Sequence, residues 1–160
     1  MLFRSVTSDG IDYDGDGVYE ETYHYAGTRT SRIDLDRNGD RRVDARWLYD
    51  AHGLAKSWEG DDDFDGRFEV TAELERGEFS AYSVDREGDG RPNTIIRYRN
   101  GVATERELLD PATARVVKRQ RFAGDLLRSA EIDADGDGQF ERKVEYDELE
   151  EPQPSASGAP

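Results

Sequence analysis

The chain has 160 residues, about the length of one domain, and its 37 Asp and Glu against 22 Lys and Arg give a net charge of −15. The acidic excess argues against nucleic-acid binding, and no apolar run approaches the roughly 20 residues of a membrane-spanning helix. The lack of cysteine excludes disulfides, thiolate zinc sites and cysteine nucleophiles. Leu, Ile, Val and Phe are scarce, so we expect something other than a large core to help hold the fold.

The two ends of the chain differ in composition from the stretch between them. Residues 1–8 are predicted to form an N-terminal lead, which contains no hydrophobic segment long enough for a secretory signal. Residues 150–160 are rich in Pro, Ser, Gly and Ala, which predicts a disordered C-terminal tail. Residues 9–149 are expected to form a single repeat domain.

An acidic motif of nine residues recurs along this domain, and we number its copies as loops 1 to 5. The loops cover residues 12–20, 36–44, 61–69, 85–93 and 133–141. Their starts are 24, 25, 24 and 48 residues apart, so the period is about 24 and one unit without acids should lie near residue 109. Residues 109–117 keep a turn-like composition and lack the acids, which indicates six units in all.

Between the loops, apolar residues are spaced by even numbers, which is the period of a β-strand. The apolar columns are Tyr19, Tyr23 and Tyr25; Val43, Trp47 and Tyr49; Phe68, Val70 and Leu74; Ile96 and Tyr98; and Phe140, Val144 and Tyr146. A glycine then marks a turn before a second alternating run, at Gly27, Gly53, Gly77, Gly101 and Gly124. Each unit is therefore predicted to run strand, glycine turn, strand, acidic loop.

This pattern predicts an all-β fold of tandem antiparallel β-hairpin repeats with a period of about 24 residues. One hairpin cannot bury its apolar side alone, so the units should form a curved or solenoid-like sheet of about a dozen strands. We expect the aromatic columns to pack a core; the alternative is an exposed platform on which sugars or peptides stack. Arg supplies 19 of the 22 cations, mostly on predicted strands, which predicts cross-strand pairing with Asp and Glu.

The acidic loops carry oxygen-bearing side chains at positions 1, 3, 5 and 9, where they converge on one point. The predicted ligands are Asp12, Asp14, Asp16 and Glu20; Asp36, Asn38, Asp40 and Asp44; Asp61, Asp63, Asp65 and Glu69; Asp85, Glu87, Asp89 and Asn93; and Asp133, Asp135, Asp137 and Glu141. Hard oxygen ligands at this density suit Ca²⁺, with Mg²⁺ as the second choice, whereas Zn²⁺ favours His or Cys. The sequence thus predicts up to five Ca²⁺ ions, with the apolar residue at position 8 anchoring each loop to the sheet.

The five loops are expected to differ in affinity. Loops 1, 3 and 5 carry four acids each and should bind best. Loop 2 has Asn38 in place of one acid and Arg41 where the other loops have glycine. Loop 4 ends in the neutral Asn93, next to Pro92, and should be the weakest site.

The loops resemble the first half of the EF-hand calcium loop, D-x-D-x-D-G, but their last acid is at position 9 and strands flank them. In this they are more similar to the β-hairpin calcium loops of integrin α-subunits, D-x-D-x-D-G-x-x-D. The hairpins resemble YD (RHS) repeats in Tyr49–Leu54, with echoes in Tyr98–Gly101 and Tyr146–Asp147, and are also similar to MORN-like hairpins. These resemblances imply calcium-binding loops on a β-sheet scaffold.

No catalytic motif is recognisable, and His24 and His52 stand alone, on the polar side of a strand and in a turn. We therefore expect no enzyme. The leading hypothesis is a calcium-stabilised structural or adhesive module of a secreted or surface bacterial protein, located outside the cell, at its surface or in the periplasm. It would bind calcium ions and a protein partner or further repeats of a longer chain.

Two other functions stay open. One is an acidic protein-binding module, inhibitor or antitoxin-like, that acts without metal through its charged face. The other is a calcium buffer or sensor, which would require tighter sites and a conformational change. Calcium dependence of folding separates the metal-bound module from the metal-independent one.

Overall fold

The computed structural model describes residues 7–153, and within that range the chain forms strands and turns and no helix. It divides into two compact units, Met1–Glu78 and Phe79–Pro160. The strands of the first unit are β1 (Ser8–Ile11), β2 (Glu21–Ala26), β3 (Arg29–Leu35), β4 (Ala45–Tyr49), β5 (Ala55–Gly60) and β6 (Val70–Glu75). Each strand from β1 to β5 pairs in antiparallel fashion with the strand that follows it in sequence.

The second unit repeats the same plan. Its strands are β7 (Glu78–Val84), which starts at the boundary, β8 (Thr94–Arg99), β9 (Val102–Leu109), β10 (Val116–Ala123), β11 (Leu126–Ile132), β12 (Arg142–Tyr146) and β13 (Pro152–Gln153). Consecutive strands again pair antiparallel from β7 to β13. The prediction of an all-β fold built from antiparallel hairpins is therefore confirmed.

The hairpins share an irregularity close to their glycine turns. The strand register shifts at residues 24/25, 48/49, 97/98 and 121/122. Each shift lies immediately before an aromatic residue, namely Tyr25, Tyr49, Tyr98 and Phe122. Such bulges add one residue to a strand and increase its twist, and the simple even-numbered alternation does not anticipate them.

One turn shows why glycine marks the hairpin tips. Asn100 and Gly101 connect β8 to β9 and both have positive φ, 52° and 74°. Two successive positive φ values define the tight turn whose twist matches that of the flanking strands, and Asn-Gly is the pair that tolerates it best. The sequence placed this turn correctly because the constraint is local.

The strand members of the apolar columns share one face of the sheet, where Tyr23, Ile33, Trp47, Trp58 and Ala72 occupy one row of paired positions. The prediction that the position 8 residues Phe68 and Phe140 belong to the same columns is wrong, because their rings contact arginines of the opposite face. The Trp47 and Trp58 rings lie 6.3 Å apart at 50°. These large side chains are only half-buried, and among the described residues the fully buried apolar ones are Ala45, Val70, Ala72 and Ala130. The expected core is therefore small, and the aromatic side chains on this face keep part of their surface exposed.

The opposite face is held by ion pairs between neighbouring strands. In the first unit, Arg46 contacts Asp34 at 2.9 Å and Glu59 at 3.5 Å. In the second unit, Arg119 contacts Glu107 at 2.9 Å and, on β11, Glu131 at 3.8 Å. Cross-strand pairing of arginine with acids is confirmed.

The ends of the predicted domain lie close to the ends of the described range. β1 begins at Ser8, inside the predicted lead, and β13 lies inside the predicted tail. Residues 1–6 and 154–160 fall outside the described residues. The domain boundaries at residues 8 and 149 stay predictions.

Candidate metal centres

Three of the five acidic loops bring their four acids together. In loops 1, 3 and 5, the four side chains each offer a carboxylate oxygen, and these oxygens lie within 4.8 Å of one another. The three groups are Asp12, Asp14, Asp16 and Glu20; Asp61, Asp63, Asp65 and Glu69; and Asp133, Asp135, Asp137 and Glu141. These are the loops in which the sequence places four acids each.

In loop 5, the first and last acids are bound to the backbone of the loop. Gly136 N donates to Asp133 Oδ1 at 2.7 Å, and Gly138 N donates to Asp133 Oδ2 at 2.9 Å. Ala134 N donates to Glu141 Oε2 at 2.8 Å. The carboxylate at position 1 thus closes the turn, while the one at position 9 ties the end of the loop to its start.

Each of the two middle acids accepts a hydrogen bond from the backbone amide two residues further along the chain. Asp137 N donates to Asp135 Oδ1 at 3.1 Å, and Gln139 N donates to Asp137 Oδ1 at 2.7 Å. Each backbone bond engages one oxygen of its acid, which leaves the other oxygen without a backbone donor. The amides thereby hold all four carboxylates in one small space.

Loop 1 has the same scheme of backbone bonds. Loop 3 differs at one bond, because the amide that donates to Asp61 Oδ1 is that of Asp65 at position 5 rather than the one at position 4.

The amides of Gly17 and Gly15 lower the pKa of Asp12, because they donate to its ionised form. In loop 3, the Arg67 guanidinium lowers the pKa of Asp65. The ionised forms of Asp12 and Asp65 are therefore favoured.

Position 6 of the loop requires a left-handed backbone. Gly138 has φ 97° there, and in loop 2 Arg41 adopts φ 73° at the equivalent position. A residue with a Cβ is strained in this conformation, so Arg41 makes loop 2 less favourable to form than loop 1. Loop 3 carries a similar strain at position 4, where Phe64 has φ 62°.

The acids of loops 2 and 4 do not form such a group among residues 7–153. In loop 2, Asp44 is 1% exposed and accepts hydrogen bonds from Arg37 N at 2.7 Å and Asn38 N at 3.2 Å. In loop 4, Asn93 Oδ1 accepts from Arg86 N at 2.7 Å. The assignment of these two loops as metal sites stays a prediction.

Loop 3 has buried carboxylate oxygens at both its first and its last position. Asp61 is 1% exposed, and both of its oxygens accept backbone amides. Glu69 Oε2 accepts from Asp62 N at 3.0 Å, whereas the buried Glu69 Oε1 has no hydrogen-bond partner among the described residues. A buried oxygen without a partner is costly, so this atom calls for a donor or a cation.

The aromatic side chains at position 8 tie loops to the charged face of the sheet. The Arg46 guanidinium lies 5.3 Å from the ring centre of Phe68, and the Arg119 guanidinium lies 5.1 Å from that of Phe140. These cation–π contacts place each loop against an arginine that already pairs two strands. The predicted anchoring role of position 8 is confirmed for these two residues.

The unit without acids also forms, as the repeat phase predicts. Residues 110–115 connect β9 to β10, and Asp110 Oδ1 accepts from Ala112 N, Thr113 N and Thr113 Oγ1 at 3.1, 2.8 and 2.9 Å. The Thr113 donors lower the pKa of Asp110. A single carboxylate therefore suffices to close this loop, which we call the acid-free loop because it lacks the acidic motif and keeps only Asp110.

The two histidines lie away from the acidic loops. His24 Nε2 is 2.9 Å from Asp34 Oδ2 on the charged face, where Arg32 also contacts Asp34. His52 lies in the turn between β4 and β5, and its backbone amide donates to Asp50 Oδ1 at 2.8 Å. Both positions agree with those read from the sequence.

Contacts between neighbouring loops are what sequence reasoning missed. Arg37 of loop 2 donates to Asp62 Oδ1 of loop 3 at 3.1 Å and to the Asp61 carbonyl. Arg41 of loop 2 donates to Asp16 Oδ2 of loop 1 at 3.2 Å. The clustering of arginines in loop 2 was the available signal, since equivalent positions of successive repeats lie side by side.

Comparison with known proteins yields no family. No family model and no curated protein matches the chain. Similar solved structures include accessory secretory protein 1, 2 and 3 of Streptococcus pneumoniae, at 15% identity and a TM-score of 0.34, and the Glycosylation Associate Protein complex of Streptococcus agalactiae, at 14% and 0.40. Each match covers 82% of this chain and only 22% of the other. The resemblance to YD and MORN-like repeats stays a prediction.

Membrane insertion through helices finds no support in the described range. No helix there is long and apolar enough to cross a bilayer.

Proposed function

We propose that the chain is a calcium-binding β-hairpin repeat module whose acidic loops hold Ca²⁺ and thereby stabilise the fold. Three groups of four carboxylates, each on one turn between strands, support this function. Ca²⁺ takes six to eight oxygen ligands in flexible geometry, and Mg²⁺ demands a tighter octahedron, so Ca²⁺ is the better fit.

In loops 2 and 4, a neutral asparagine in place of one acid accepts the same turn hydrogen bond as that acid does in loops 1, 3 and 5, and this observation is the main support for the proposal. Asn38 Oδ1 accepts from Asp40 N at 2.8 Å, as Asp14 Oδ1 accepts from Asp16 N at 3.0 Å. Asn93 likewise replaces the acid at position 9 and keeps its backbone bond. A neutral amide thus provides the hydrogen bonds that the turn needs, so the extra negative charge of loops 1, 3 and 5 has another role.

The extra negative charge favours the binding of a cation. Four carboxylates within 4.8 Å repel one another and oppose the compact state. A divalent cation at the centre of each group reverses this effect, and the buried Glu69 Oε1 gains a partner. Metal binding then contributes directly to folding stability.

The proposed role of the module is structural or adhesive, in a secreted or surface bacterial protein. Extracellular modules bind Ca²⁺ with Kd of about 10⁻⁴–10⁻³ M, and calcium at such levels occurs outside cells rather than in the cytosol. The proposed location is therefore outside the cell, at its surface or in the periplasm. A protein partner or further repeats of a longer chain would complete its role, and no catalytic activity is proposed.

Thermal unfolding followed by far-UV circular dichroism tests the proposal, in EDTA and then with Ca²⁺ at about ten times its Kd. Three occupied sites should raise Tm by about 10 °C, and Mg²⁺ at the same concentration should raise it less. The test variant replaces the three position 3 acids together (Asp14→Asn, Asp63→Asn and Asp135→Asn). The control makes the same kind of substitution at a turn residue outside the acidic loops, Asp125→Asn.

The triple variant should lose most of the calcium-dependent rise, because each group loses a charged ligand while the hydrogen bond at position 3 is kept. Asp125→Asn should keep the full rise. A chain that is folded in EDTA and unmoved by millimolar Ca²⁺ would contradict the proposal. Its acids would then act as a charged face for a basic protein partner.

A further inference from the structure

The position 5 acid differs among the three groups in what contacts its second oxygen. In loop 1, Asp16 Oδ2 accepts from the guanidinium of Arg41, 3.2 Å away. In loop 3, Asp65 Oδ2 accepts from the Arg67 guanidinium at 2.5 and 3.0 Å.

In loop 5, the equivalent oxygen, Asp137 Oδ2, accepts from the neutral amide of Gln139 at 3.0 Å. The acids of the three loops are otherwise matched. The side-chain contact at the position 5 carboxylate is therefore cationic in two loops and neutral in the third.

We propose that the side chain on the position 5 carboxylate sets the affinity of each loop for Ca²⁺, which makes loop 5 the tightest site. This inference rests on the proposed function and deepens it. Loops with the same four acids are then not equivalent, since a guanidinium contacts the position 5 carboxylate in two of the three. In loop 5 the Arg115 guanidinium contacts the Gly136 and Asp137 carbonyl oxygens instead, at 3.1 and 3.4 Å. The acid count alone predicts equal binding in loops 1, 3 and 5.

Two physical effects act in the same direction. The guanidinium repels an incoming divalent cation at short range, and it already satisfies an oxygen that the cation would share. The contacting side chains are largely exposed, at 67% for Arg41 and 63% for Arg67, so solvent screens the repulsion. An effect of about tenfold in Kd is expected for one such charge in water.

Loops 1 and 3 also differ in where their arginine comes from. Arg67 belongs to loop 3 itself, at position 7, and contacts Asp65 through two nitrogens. Arg41 reaches loop 1 from loop 2 with one nitrogen. Loop 1 should therefore be intermediate, and the expected order of affinity is loop 5, then loop 1, then loop 3.

A reciprocal exchange at position 7 tests the proposal in the full chain. The variants are Gln139→Arg in loop 5 and Arg67→Gln in loop 3. Calcium is titrated while NMR follows the backbone amides of Gly17, Gly66 and Gly138, which report loops 1, 3 and 5 because each donates to its position 1 carboxylate. Gln139→Arg should weaken loop 5 about tenfold, and Arg67→Gln should strengthen loop 3 about tenfold.

Arg99→Gln is the matched control, because it makes the same charge change at an exposed residue on the end of β8 that leads into the glycine turn, away from the acidic loops. It should shift all three affinities equally and by less than the exchanges do. Equal affinities in the wild type, or exchanges that act no more than the control, would overturn the inference while calcium binding stands. An absence of any calcium-dependent shift would overturn the proposed function with it.

Discussion

Loop 5 and the acid-free loop of residues 110–115 connect successive strands of the same unit with very different charge. In the acid-free loop, Asp110 Oδ1 alone accepts three donors and closes the turn. In loop 5, Asp133 performs that task with two backbone amides, yet three further acids stand beside it. One carboxylate can therefore close such a turn, and the negative charge of the other three exceeds what the hydrogen bonds of loop 5 require.

The largest expected effect comes from removing that surplus. Neutralising loop 5 by Asp135→Asn, Asp137→Asn and Glu141→Gln keeps the acceptor oxygens and removes three charges from the group. Calcium affinity of loop 5 should fall by more than about 100-fold, since hard cations bind carboxylates far better than amides. Isothermal titration calorimetry should then count one site fewer than in the wild type.

The stability of the same variant in the absence of metal shows whether the three acids are needed for the turn. With less repulsion in the loop, the neutralised chain should be at least as stable as the wild type in EDTA. A large loss of stability in EDTA would show that the three acids serve the turn after all.

Asp110→Ala removes the carboxylate that closes the acid-free loop. The acid-free loop loses all three donors to its carboxylate, so Tm should fall by several degrees, equally in EDTA and in Ca²⁺. Calcium stoichiometry should not change. A loss of bound calcium in this variant would mean that the acid-free loop takes part in metal binding.

The dependence of Tm on pH tests the contribution of Asp110 to stability. Hydrogen bonds from Thr113 lower the pKa of Asp110 in the folded chain, so its contribution to stability is present above its unfolded pKa of about 3.9 and is lost as the pH falls through the lower folded value. Asp110→Asn should flatten the decline in Tm below about pH 4. A decline as steep as in the wild type would assign the acid sensitivity to other carboxylates.

The contact of Phe140 with Arg119, which joins loop 5 to the sheet, should affect calcium affinity less than the ligands do. Phe140→Ala removes the ring that lies 5.1 Å from the Arg119 guanidinium, which frees the end of the loop that carries Glu141. A loss of about threefold in the calcium affinity of loop 5 is expected, because a contact of this kind is worth under about 1 kcal/mol at an exposed site. Phe140→Leu should retain part of the affinity, which distinguishes packing from the cation–π contact.

The smallest effect is expected in loop 4, whose three acids lie between the single acid of the acid-free loop and the four of loop 5. Asn93→Asp restores the missing acid at position 9 without changing the backbone contact to Arg86. Calcium binding by loop 4 should tighten by a few fold, from the weakest of the five. No change in calorimetry would refute the assignment of residue 93 as a ligand position.

Local features of the fold could be predicted from the sequence. The 24-residue period, the turns at Gly27 and Gly101 and the acid-free unit all depend on residues within one repeat. The three four-acid groups could be predicted for the same reason, since their members lie within nine residues of one another.

Features that depend on neighbouring repeats could not be predicted. The contact of Arg41 with Asp16 joins residues 25 apart, and only the lateral order of the strands brings them together. The half-burial of Trp47 and Trp58 likewise depends on what covers the sheet, about which an alternating pattern carries no information. The strand bulges before Tyr25 and Tyr49 shift the register in a way that composition does not reveal.

The strictly sequential pairing of strands within each unit has a kinetic consequence. Every hairpin closes a short stretch of chain, so little loop entropy is lost before contacts form, and folding can start in any hairpin and spread to its neighbours. The first strands to detach should be those at the start and end of the paired series, β1 and β13. Hydrogen exchange would then be fastest there and slowest near β4 and β10, which are flanked by partners on both sides.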